Sequence, residues 1–473
     1  MFATLRSRLS LPAIGWSVLL VVVQTVLLAT FVVDWRVPVL LAGGFVVTAL
    51  LLDNPLWAVG GMLAARLLSV GTMSFITIGK TSIGLFEPVL FLALGSLGLR
   101  AVFARKELWR DWPWKPVMLA FLGWRFIGLL WCTKVSDGAK EIVTFGVIVA
   151  TSMVIIAFVE TWEQLRGMLW AWIGACVLIS LLALFGDSLG LTSYAQQWKA
   201  AESGGRETGL GQQPNWFAMN LSFVVPATAA MGLIQKDIRW RWACFVATVF
   251  IFFAMMTSGS RGGAGSVVIA CGLAALGQPL FRKWAIRFAV VGVALFALAA
   301  LTNLGDIGKG FNRIAGGLTF LFQKDVRGAN WSACMGMFQD SFGLGIGPGG
   351  YIDQLAKYSD WLYNSIYRYP HGIFWGELAH GGVVGVVLLG VLVVVITRMA
   401  IQTVRDTRGT EAEVMAWAMP ASMAGYFAWS FVEFSLDEKP FWEWLAVYTA
   451  LHLIARKART GGTPLPPWRY GSP

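Results

Sequence analysis

Long apolar runs recur along this 473-residue chain from residue 12 to residue 455, and no soluble fold buries that many. They fall at about 12–33, 37–52, 55–71, 84–104, 115–132, 141–159, 165–186, 214–234, 241–257, 263–279, 284–303, 372–397, 414–432 and 440–455. The runs are continuous rather than alternating, and most approach the ~20 residues that a spanning helix needs, which argues against a membrane β-barrel. Composition agrees: 57% of residues are hydrophobic and only 13% charged, where soluble domains carry about a quarter. The expected fold is an all-α polytopic integral membrane protein with 12–14 transmembrane helices. The lower number applies if the short runs around Asp53-Asn54-Pro55 form a re-entrant pair. Both totals are even, so both put the termini on one side. The start, MFATLRSRLS before a long apolar run, reads as an uncleaved first span, because the run is too long for a cleaved signal.

Positive charge sets the orientation, since cytoplasmic loops collect lysine and arginine. With both termini inside, the inner segments hold 21 such residues, against eight on the outer side without its longest loop. The net charge of +11 is thus spread over short interhelical loops, as membrane topology requires, and does not call for a nucleic-acid partner. Many of the 24 tryptophans stand beside charges at run ends, where an interfacial belt forms. The five cysteines make no disulfide framework and no metal-ligand spacing.

The chain divides into N-terminal spans (1–186), an outer loop (187–213), central spans (214–303), a large outer loop (304–370), and C-terminal spans with a cytoplasmic tail (371–473). The large loop contains GLGIGPGGY at 343–351 and many aromatic residues. A connection of that length is usually functional or disordered, and its aromatic content predicts an ordered cap with short helices.

Four features share the outer side. Arg206 lies in GGRETG, just before Gln212-Gln213-Pro214-Asn215-Trp216. Arg261 lies in the hairpin Ser258-Gly259-Ser260-Arg261-Gly262-Gly263. Arg327 opens Arg327-Gly-Ala-Asn-Trp331, and His371 stands where the long loop returns to the membrane. Taken singly, each has a plain reading: Arg261 snorkels to lipid phosphates, Arg206 and Arg327 are solvated loop charges, and His371 caps a helix. Taken together they suit one chemistry. Arginine forks bind phosphate bidentately at any working pH, and a glycine-flanked arginine in a tight turn lets a bulky anion approach backbone N–H groups. Histidine accepts a proton near neutrality, and neighbouring arginines would keep it neutral. Arginines on a pyrophosphate leaving group, with histidine deprotonating a hydroxyl, make a general-base transfer. No Asp-x-Asp pair stands on this face, so the expectation is phosphate handling with no metal and no cofactor. His380 lies nine residues beyond His371, about half a helical circumference away, too far round to pair with it on a metal. His452 falls near the cytoplasmic end of the last span.

These same residues resemble the bacterial O-antigen ligase and O-antigen polymerase superfamily of membrane glycosyltransferases. The matching pieces are GRETGLGQQPN at 205–215, SGSRGG at 258–263, Arg327-x-x-x-Trp331 followed by GLGIGPGGY, and His371 opening a helix that runs into Gly381-Gly382. Order and spacing agree over about residues 200–397. The resemblance implies that Arg261 and Arg327 contact the donor pyrophosphate and that His371 activates the acceptor hydroxyl. It further implies substrate-binding roles for Arg206, Asn215, Trp331 and Ser260. Family members often carry Asn after the histidine and Glu nine residues later. Here those positions are Gly372 and His380, which leaves Glu377 on the same helix as the candidate substitute.

The implied partners are an undecaprenyl-pyrophosphate-linked glycan donor, a lipid A–core acceptor and membrane lipids, with the active site on the periplasmic side of the bacterial inner membrane. Ligase is the first reading, polymerase the second and protein O-oligosaccharyltransferase the third. A lipid-linked glycan transporter is the alternative from another class. It predicts charges at mid-membrane depth and internal repeats, for which Arg66 and Arg125 are candidates and no repeat is found.

Overall fold

The computed structural model describes residues 55–68, 76–78, 81–83, 86–104, 107, 110–186, 214–302, 326–364, 369–433 and 435–468. The first two apolar runs, and with them the question of a re-entrant pair, lie outside these residues. Helices α1 (Pro55–Leu68), α2 (Phe86–Ala104), α3 (Lys115–Gly128), α4 (Val135–Phe158) and α5 (Trp162–Phe185) come first. A two-stranded hairpin, Ile76–Ile78 with Thr81–Ile83, lies between α1 and α2. Then follow α6 (Pro214–Ile234), α7 (Ile238–Thr257), α8 (Arg261–Gly277) and α9 (Pro279–Thr302). The long loop contributes the short helices α10 (Val326–Asp340), α11 (Tyr351–Tyr358) and α12 (Asp360–Tyr363), and the chain closes with α13 (Ile373–Asp406), α14 (Glu413–Ser430) and α15 (Lys439–Arg459).

Five described helices, α4, α5, α6, α7 and α13, are long and apolar enough to cross a bilayer, and the protein is an all-α polytopic membrane protein. The short helices expected in the long loop are present from residue 326 onward. Helix α6 is buried along almost its whole length and forms the centre, with α14 and α8 packed on it. Aromatic side chains fill the remaining space around α15, where Trp442 and Trp444 are fully enclosed.

The glycine-rich loop explains a break in α13. At Gly382 the backbone takes φ 60° and ψ −148°, leaving the helix. Loop residues 343–347 bond to the groups the break releases: Ile346 N–H donates to Ala379 C=O (2.8 Å), Gly347 N–H to His380 C=O (3.1 Å), and Val383 N–H to Gly343 C=O (2.9 Å). A Cβ at Gly345 or Gly382 would overlap the opposing backbone, and both residues have positive φ, a conformation open chiefly to glycine. Buried backbone groups must find partners, so GLGIGPGG and Gly381-Gly382 read as two halves of one joint. Trp131 and Trp124 clamp it by donating from Nε1 to Gly345 C=O and Gly381 C=O.

Candidate functional site

Three of the described candidates, Asn215, Arg327 and His371, meet where α14 ends and the chain turns through Phe431-Val432-Glu433. Glu433 is buried, 2% exposed, and its two oxygens are shared out. Oε1 accepts from Asn215 Nδ2 at the start of α6 (2.6 Å). Oε2 accepts from Arg327 Nη2 at the start of α10 (2.7 Å). Arg327 Nε also donates to Val432 C=O (2.9 Å). The His371 imidazole, buried, lies with Nδ1 3.9 Å from the same Oε2. Its ring packs against Tyr369 with centroids 4.1 Å apart.

Local sequence explains this arrangement. Arg327 and Trp331 are four apart on α10 and so share a face. While Arg327 reaches the end of α14, Trp331 Nε1 donates to His371 C=O (2.5 Å) and its indole stacks on Trp375, centroids 5.4 Å apart. Trp331 therefore fixes the backbone of the histidine. Gly372, with φ 129°, lets the chain turn against Phe431 C=O, where a Cβ would overlap. That is the physical reason for glycine at a position where the resembling family often carries Asn.

Arg261 is the first residue of α8, half-buried, at the electropositive end of the helix. Ser260 caps that helix, its hydroxyl accepting from Gly263 N–H (3.3 Å), and Ser258 accepts from Ser260 N–H (3.2 Å). Gly262 lies against the Trp429 indole so closely that a Cβ would overlap the ring. The small residues of the hairpin thus build the turn and seat it on α14, four residues before Glu433. Arg206 lies outside the described residues.

The other polar candidates have partners of their own. Glu377 is bound by Arg125 (3.1 Å), which also meets Asp437 (2.7 Å) and Glu141 (3.9 Å). Arg66 pairs with Glu443 (2.9 Å). Both arginines that a transporter reading singled out are therefore matched by carboxylates. His380 lies 3.9 Å from Glu141, on different neighbours from His371, and His452 Nδ1 bonds with Thr403 Oγ1 (2.9 Å).

Sequence reasoning passed over Glu433, and with it the whole acidic segment from Glu433 to Glu443. A signal was present: Glu433, Asp437 and Glu438 crowd the link between two apolar runs, with Glu443 just inside the second, and each buried arginine on that face requires a carboxylate.

An apolar cavity of about 900 Å³ opens beside the site. It begins at Ile373, Phe374 and Phe431 and runs between α13 and α14 as far as Val404 and Trp417. One wall at its upper end is thus two residues from both His371 and Glu433.

Residues 246–390 match the family model described as O-antigen ligase, so the resemblance to the O-antigen ligase and polymerase superfamily is shown over that stretch. Ser260, Arg261, Arg327, Trp331 and His371 lie inside it; Asn215 and Glu433 do not. No curated protein matches the chain.

Proposed function

We propose, for a chain whose residues 246–390 carry the O-antigen ligase signature, that it transfers a glycan from undecaprenyl pyrophosphate to lipid A–core oligosaccharide at the periplasmic face of the inner membrane. The observation that carries this reading is the meeting of Arg327, His371 and Asn215 at Glu433, at the head of an apolar groove. A polar cluster of this kind suits a charged head group, and a long apolar channel beside it suits a polyprenyl tail.

In the proposed reaction the acceptor hydroxyl oxygen forms a bond to the anomeric carbon of the donor sugar. The bond from that carbon to the pyrophosphate oxygen breaks, and the pyrophosphate departs with the bonding pair. His371 takes the hydroxyl proton. Arg327 and Arg261 hold the leaving group's growing negative charge, the helix start at Arg261 adding its positive end. Arg206 assists with the donor, and Trp331 positions His371. The chemistry drawn from these side chains uses no metal ion.

The acceptor decides among the members of the superfamily. Purified protein given a lipid-linked glycan is offered lipid A–core, a second lipid-linked glycan, or a pilin-like protein. Transfer to lipid A–core supports the ligase. Transfer only to the second lipid-linked glycan makes it a polymerase, and transfer only to protein an oligosaccharyltransferase. The His371→Ala variant is expected to bind donor and lose transfer by at least ~10²-fold; unchanged transfer would sink the general-base role.

A further inference from the structure

We propose that Glu433 is a positioning residue that switches His371 on when donor arrives. This rests on the reading of Arg327 as a pyrophosphate ligand and His371 as the base. One carboxylate oxygen, Oε2, is shared between the two: it holds Arg327 at 2.7 Å and stands 3.9 Å from His371 Nδ1. The first distance is a charge-assisted hydrogen bond, whereas the second is too long for one. The other oxygen is anchored by Asn215 at 2.6 Å, so the carboxylate has a fixed pivot and one oxygen that can change partner.

A pyrophosphate competes directly with Glu433 for the Arg327 guanidinium. When the donor takes that fork, Oε2 loses its cation and His371 Nδ1–H becomes the nearest donor described around it. Closing that gap fixes the imidazole tautomer, points Nε2 at the acceptor and strengthens it as a base. Proton abstraction is thereby tied to an occupied donor site, which protects the resting enzyme from activating water or acceptor prematurely. Among the described residues, the charged and titratable groups recorded around His371 are Glu433 after α14, Arg327 on α10 through the same carboxylate, and Tyr369 beside it in its own segment. Glu377, further along α13, is bound by Arg125.

The test reads His371 itself. Exchange of its imidazole C2 hydrogen is followed by mass spectrometry against pH in nanodiscs, with and without undecaprenyl pyrophosphate. The wild-type midpoint is expected to rise by about one pH unit on adding the lipid. In Glu433→Gln the midpoint starts lower and rises much less. In turnover, Glu433→Gln is expected to lose about 10²-fold in kcat with donor KM unchanged or lower, since Arg327 no longer has to be released. The acid limb of its pH profile moves to lower pH, and Glu433→Asp restores part of the rate. An unmoved wild-type midpoint overturns the proposal without recourse to any variant. So does an equal rise in Glu433→Gln, because the lipid's own charge then suffices. If no lipid-linked donor is turned over at all, the functional reading fails while the exchange result still decides the switch. Normal transfer with an unmoved His371 removes the switch alone.

Discussion

Arg125 and Arg327 stand at the same end of the protein, and both are held by carboxylates, yet they differ in how far they are enclosed. Arg125 is 8% exposed, enclosed by Glu377, Asp437 and Glu141, with its guanidinium 4.9 Å from the centre of the Phe145 ring. Arg327 is 30% exposed and, among the described residues, bonds to Glu433 and to the Val432 carbonyl. Enclosure, rather than charge, separates them. A guanidinium surrounded by three acids and an aromatic face has no edge left for phosphate, while one that is 30% exposed can be reached from outside. On the proposed function the resting pair at Arg327 is a ligand site occupied from within, whereas the cluster at Arg125 is a fastening between α3, α4, α13 and the link before α15.

The strongest way to break this contrast is to remove each arginine's special property. Arg125→Met should strip the cation from three carboxylates, a loss of about 3–5 kcal/mol when a buried pair is broken. Little monodisperse protein and a collapsed melting transition in detergent are expected. Arg327→Lys should melt close to wild type but transfer glycan about 10²-fold more slowly, because an ammonium keeps the charge and loses the fork. A normal Arg125→Met fold beside a misfolded Arg327→Lys would reverse the two assignments. Gly262→Ala asks whether the Arg261 turn depends on its seat against Trp429. The added methyl overlaps the indole, and overpacking of this kind costs about 1–3 kcal/mol. A lowered melting point with shifted tryptophan emission is expected; unchanged emission would mean the turn is not held by that contact.

The sequence made the spans legible because apolar periodicity and run length are local. Arg327-x-x-x-Trp331 was legible for the same reason, since four residues on a helix make one face. Glu433 was not, because its partners Asn215 and Arg327 are 218 and 106 residues away along the chain. The acidic residues around Glu433 mark a charged segment, but they do not say which distant residues it meets. The hairpin lies between these cases. SGSRGG marked a tight turn with a charge in it, yet the work of Ser260 as a helix cap and of Gly262 as a tryptophan seat depends on the neighbouring helices. Likewise GLGIGPGG and Gly381-Gly382 were both visible as glycine clusters, but their relation as the two sides of a helix break is a long-range fact.

A pH-dependent effect is expected of Glu438, which lies between the two regions in the link before α15. Desolvation pushes its carboxyl up from 4.5 to about 7; Arg66 opposes the rise, and the negative charges of Asp437 and Glu433 add to it. The folded chain then keeps a proton that the unfolded chain releases once the pH passes 4.5. Because the native state binds the extra proton, stability from this group falls as pH rises from about 4.5 to about 7, and it is flat above that window. Melting points in detergent at pH 5 and pH 7.5 should therefore drop for wild type relative to Glu438→Gln, whose amide does not titrate. Parallel melting curves across that range would mean that Arg66 compensates the charge fully, making Glu438 part of the fastened region around Arg125 rather than a loosely balanced neighbour of the site.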